Sequence, residues 1–76
     1  MNEKDKELLK KLGIILRRIR KQKNISVAEL SDKTGICKSY IYKIESGKAY
    51  AVTIEKHIYR IACALGVKCS FIFENI

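Results

Sequence analysis

The sequence predicts one all-α domain of five short helices, or of four helices followed by a C-terminal strand. Three observations carry that prediction. Apolar residues recur at spacings of three and four along most of the chain, helix-start and helix-stop residues punctuate the pattern, and no proline interrupts it. Seventy-six residues make a single domain, near the smallest size at which an apolar core alone sustains a fold. The hydrophobic share of 47% suffices for such a core. That core is expected over residues 7–67, with residues 68–76 as a tail.

A first helix is expected from Asp5 to Gln22. Leu9, Leu12, Leu16 and Ile19 form its apolar face, and Lys10, Lys11, Arg17, Arg18 and Lys21 fall largely off it. Ile14 and Ile15 widen the stripe, so part of it is available to something other than the chain's own core. Asn24 tolerates the left-handed conformation that ends helices. Ser26-Val27-Ala28-Glu29 then reads as a capping box, with Ile25 and Leu30 as its hydrophobic staple. A second helix should run from Val27 to Thr34 and stop at Gly35. A third follows from Lys38 to Ser46, turning Ile41 and Ile44 inward beside Ile36, and Gly47 closes it. Thr53 is the expected cap of a fourth helix whose face is Ile54, Ile58, Ile61, Ala62 and Leu65, ended by Gly66. In the tail, Val67, Cys69, Phe71 and Phe73 alternate with Lys68, Ser70, Ile72 and Glu74, the period of a strand. Such a strand would need the same segment of a second subunit as its partner. The alternative is a short fifth helix that packs Phe71 and Phe73 into the core or the dimer seam.

Sixteen Lys and Arg against eight Asp and Glu give a formal charge of +8, which favours polyanionic partners through counterion release. No apolar run approaches the roughly 20 residues that span a bilayer. The charged N-terminus does not resemble a signal peptide, so a cytoplasmic protein without a membrane role is expected. Cys37, Cys63 and Cys69 have no C-x-x-C spacing, and His57 is the only histidine. Neither a metal site nor a cofactor is therefore expected, and at least one thiol should be buried as a small hydrophobe. His57 lacks a sequence neighbour that would make it a catalytic base. No nucleophile–base set is visible, so no enzyme is expected. Tyr40, Tyr42, Tyr50 and Tyr59 are not spaced as a stacking platform for single strands. Lys4 to Lys11, interleaved with Glu3, Asp5 and Glu7, reads as an exposed helix face and only secondarily as a DNA arm.

Two short helices joined through a glycine turn in a basic domain describe a helix-turn-helix. Ser31 is small where the two helices must approach, and the outer face of the third helix is free to enter a major groove. From Leu12-Gly13 to Leu65-Gly66-Val67 the chain resembles the Cro/repressor-type helix-turn-helix proteins, the XRE family. The resemblance rests on Ile19-Arg20-Lys21, Ile25-Ser26, Glu29-Leu30-Ser31, Gly35-Ile36 and Ser39-Tyr40-Ile41. It continues through Lys43-Ile44-Glu45-Ser46-Gly47-Lys48, Arg60-Ile61-Ala62 and Ala64-Leu65-Gly66-Val67.

The resemblance implies a compact, lambda-repressor-like fold that binds a palindromic site on double-stranded DNA as a homodimer through a recognition helix at residues 38–46. Lys38, Ser39 and Lys43 are the implied base contacts, with Tyr42 a further one; simple phosphate attraction is the alternative for both lysines. Arg17, Arg20, Ser26, Ser46 and Lys48 are implied phosphate contacts. Arg20 and Glu45 match a pair that bridges helix one to the end of helix three. As an exposed pair it would contribute about 0–1 kcal/mol and act by position.

The chain departs from the family in several places. Val27 stands where glutamine is usual, Cys37 where a hydroxyl caps helix three, and Thr34 where an aliphatic is usual. The loop from Lys48 to Thr53 is longer than usual and lacks the common proline. The tail departs most, and its composition favours the strand paired across a dimer. In either form Phe71, Ile72 and Phe73 are the expected dimer contact. A second reading keeps the fold but uses Ile14, Ile15 and the aromatic tail to bind a partner protein such as a toxin.

Overall fold

Glycine and asparagine stops divide the amphipathic pattern into five helices in the computed structural model, which describes residues 3–76 and the side-chain surroundings of residues 6–50 and 54–76. They are α1 (Glu3–Gln22), α2 (Val27–Thr34), α3 (Lys38–Glu45), α4 (Ala51–Leu65) and α5 (Cys69–Glu74). α1 packs against α3, α4 and α5, while α2 packs against α3 and α4. Leu12, Leu16 and Ile19 of α1, Leu30 of α2, Ile41 and Ile44 of α3, and Ile61 and Leu65 of α4 form the buried centre.

The stops work through the backbone. Asn24 adopts φ 57°, the Ile25 N–H donates to the Arg20 carbonyl, and the Asn24 N–H donates to that of Lys21, each at 3.0 Å. This paired arrangement satisfies carbonyls that the end of α1 would leave bare. Gly66 (φ 75°) repeats it at the end of α4, where Val67 N–H reaches Ala62 O and Gly66 N–H reaches Cys63 O. At the start of α2, Ser26 Oγ accepts from Glu29 N–H at 3.0 Å, and Ile25 and Leu30 pack into the same core.

The turn between α2 and α3 is held by hydroxyls. Ser31 Oγ donates to Ile36 O at 2.6 Å. Thr34 Oγ1 donates to Leu30 O at 2.7 Å and accepts from Ile36 N–H at 3.1 Å. These bonds explain the polar residue at Thr34: it is buried, yet both its donor and its acceptor are used. Arg60 Nη1 donates to Thr34 O at 3.1 Å and ties α4 to the same turn.

Four expectations are corrected. First, the tail is helical. Gly66 reverses the chain and lays α5 on α1 and α4, where Ile72 becomes fully buried. A helix makes its backbone bonds within the segment, whereas the strand would have needed a second subunit to make them. The two-residue alternation therefore carried no strand. Second, Ile72 fills the core in place of Phe71 and Phe73, because successive helical residues point about 100° apart. Phe71 and Phe73 are 46% and 52% exposed, and Ile72 is withdrawn from any dimer contact. Third, α4 starts at Ala51 with Tyr50 in the cap position, so Thr53 is inside the helix and is not its cap. The Thr53 side chain lies outside the described ones. Fourth, no thiol is fully buried: Cys37 and Cys63 are exposed and Cys69 is half-buried.

Candidate nucleic-acid interface

α3 has two faces. Ile41 and Ile44 point into the core, and Tyr40 packs edge-on against His57 of α4, with ring centroids 5.6 Å apart. His57 thus joins two helices by packing. Lys38, Ser39, Tyr42, Lys43 and Ser46 are all exposed and fall within an arc of about 140° at 100° per residue. Cys37 precedes the helix without a side-chain cap bond, as its thiol, a weak acceptor, would suggest.

A groove of about 500 Å³ runs along that outer face. Ser39, Tyr42, Lys43 and Ser46 line it from α3 and its C-terminal cap, Arg17 and Arg20 from α1, and Lys48 from the α3–α4 loop. Two of the expected contact residues stand apart. Lys38 is exposed in the first turn of α3 outside the groove, and Ser26 caps α2, where its O–H remains able to donate to a phosphate. The Ser46 hydroxyl donates to Lys43 O at 3.0 Å, a bond it must give up in order to donate elsewhere.

Glu45 is the only carboxylate among the described residues that line the groove, and Arg20 meets it twice. Arg20 Nε donates to Glu45 Oε2 at 2.8 Å and Nη2 to Oε1 at 3.0 Å, while Nη1 donates to Ile25 O at 2.9 Å. One guanidinium therefore fastens α1, the α1–α2 turn and the C-terminal end of α3. The two side chains are only 10% and 8% exposed, which corrects the expectation of an exposed pair. The hydrogen bond to Glu45 raises the Arg20 pKa above its ordinary value, against the opposing effect of desolvation. With Glu45 neutralised, Arg17, Lys43 and Lys48 leave the groove positive. Three of the five guanidinium donors of Arg20 are spent within the chain, holding α1 to the α1–α2 turn and the end of α3.

Sequence reasoning missed Gly13. A Cβ there would lie 2.6 Å from Glu45 O and would also collide with Ile44 O. Only a hydrogen at this position lets α1 approach the end of α3. An uncompensated glycine inside a strongly periodic helix was the available signal, since it costs about 1 kcal/mol against alanine unless close packing requires it. Val27 is buried in the core, so this position offers no phosphate contact.

The helix-turn-helix family model matches residues 16–72, which include α2, the turn and α3. The chain belongs to that family. It is a helix-turn-helix protein of the Cro/repressor type, and hence a DNA-binding regulator. No curated protein matches this helix-turn-helix chain in sequence. Among its described residues no helix is long and apolar enough to cross a membrane.

Proposed function

We propose that this protein is a sequence-specific transcriptional regulator that binds a palindromic operator as a homodimer through the helix at residues 38–46. The observation that carries this reading is the positive groove along the outer face of α3, flanked by Arg17 and Lys48. In the proposed pose Lys38, Ser39, Tyr42 and Lys43 face base edges, where lysine donates to guanine O6 or N7. Arg17, Ser26 and Lys48 hold phosphates and set the register. Two such helices would sit about 34–36 Å apart, one turn of duplex.

Selection of bound sequences from a random duplex pool tests this reading. The expected result is an enriched palindrome, and Lys43→Ala should weaken binding by about 1–3 kcal/mol while relaxing preference at one position per half-site. The absence of any enriched palindrome overturns the reading.

Phe71 and Phe73 are the proposed dimer contact, because both are half exposed on a helix already anchored by Ile72. Changing both to serine should yield monomers by sedimentation with little loss of monomer stability. An unchanged dimer places the contact elsewhere. A second reading, capture of a partner protein, is favoured by Ile14, which remains 55% exposed on α1. The two readings separate if Ile14→Asp leaves duplex binding intact and abolishes partner capture.

A further inference from the structure

Beside the recognition groove lies a second one, between the N-terminal half of α1 and the α3–α4 loop. We propose that this second groove, carrying Lys6, Lys10 and Lys48, is a phosphate-binding surface that extends the DNA contact past the recognition helix. The inference rests on the DNA-binding reading above.

The sequence places Lys6, Leu9 and Lys10 on one side of α1, at relative positions i, i+3 and i+4. Leu9 is buried in the core, so it anchors this side of the helix while Lys6 and Lys10 stay exposed. The loop then comes to meet them. Gly47, at φ 76°, lies so close to α1 that a Cβ on it would sit 2.8 Å from both Cα and Cγ of Lys10. That approach sets Lys48 beside the α1 lysines, with Ala49 and Tyr50 completing the wall.

Continuity and charge point to the same occupant as the first groove. Lys48 lines both grooves, so they form one band. Among the described residues no carboxylate lines the second groove; Glu7 is exposed nearby on α1 but outside it. Three ammonium groups around a shallow concavity, with no anion among its described lining residues, suit an extended polyanion. From Lys6 to Arg17 the helix covers about 16 Å at 1.5 Å per residue. A duplex strand offers a phosphate about every 3.4 Å of axis, so a band of this length can meet more than one.

The test compares Lys6→Gln/Lys10→Gln in the full chain with Lys33→Gln/Lys56→Gln, whose lysines are exposed on α2 and α4 and line neither groove. Glutamine keeps most of the stem that packs on Gly47 and removes the charge. Duplex affinity is measured from 50 to 200 mM salt, and thermal unfolding by circular dichroism verifies the fold. Each lost phosphate contact should flatten the slope of log affinity against log salt by about 0.9, so the groove pair, removed from both subunits of the proposed dimer, should lose about 3.6 and the control pair far less. Lys48→Gln, in the loop of both subunits, should lose about 1.8 and guards against misfolding of the double variant. Equal changes in the two pairs, or none in the groove pair while the unsubstituted protein binds duplex, overturn this inference alone. Absence of salt-dependent duplex binding by the unsubstituted protein overturns it together with the DNA-binding reading.

Discussion

Gly13→Ala is expected to lower the thermal unfolding midpoint by about 10–20 °C, although alanine normally stabilises a helix interior. The added methyl would meet the carbonyl oxygens of Ile44 and Glu45, and these are backbone atoms that no rotamer change can remove. Forcing such a contact costs about 1–3 kcal/mol or more, and in a domain this small each kcal/mol moves the midpoint by about 4–8 °C. The atoms that must yield belong to the end of α3, so duplex affinity should fall even in the fraction that stays folded. Circular dichroism melting and a duplex titration measure both effects. A midpoint that is unchanged or raised would show that α1 and α3 are not held this close.

Glu45→Ala is the second large effect. Removing the carboxylate leaves the nearly buried Arg20 cation with only the Ile25 carbonyl. Breaking a fully buried pair costs about 3–5 kcal/mol; here about 2–3 kcal/mol is expected, because water reaches the pair through the groove. Replacing both partners, as Arg20→Met/Glu45→Met, removes the stranded charge and should recover much of that loss. Urea unfolding of Arg20→Met, Glu45→Met and the double variant gives the coupling directly. Additive losses across the cycle would mean that the pair contributes nothing beyond its separate side chains. The double variant should still bind duplex less well than the unsubstituted protein, since no polar bond would then fix the end of α3.

Most of the scaffold was legible because it is encoded locally. Ser26, Asn24, Gly35 and Gly66 each act within a few residues of themselves, through caps and left-handed turns that a linear reading can follow. The side chains gathered around α3 were likewise visible, through helical spacing and the family pattern.

What escaped depends on contacts between distant segments. The two-residue alternation in the tail suggested a strand, yet Gly66 returns this segment to the core, where burial of Ile72 decides the outcome. Gly13 and Gly47 matter only because other segments press on them. Burial of the Arg20–Glu45 pair depends on how α1 and α3 meet, 25 residues apart in sequence. Thr34 departs from the usual aliphatic because its hydroxyl bonds Leu30 O and Ile36 N–H within the turn.

The division of α3 into two faces bears on how the protein can change. Ile41 and Ile44 hold the helix, and Glu45 is committed to Arg20. No hydrogen bond to another described residue involves the side chains of Lys38, Ser39, Tyr42 or Lys43, and all four face outward. If these four side chains face base edges as proposed above, substitutions there would alter the message read from the duplex while leaving the frame that presents it undisturbed. On that proposed reading, the same small scaffold acquires new operators by rewriting four letters.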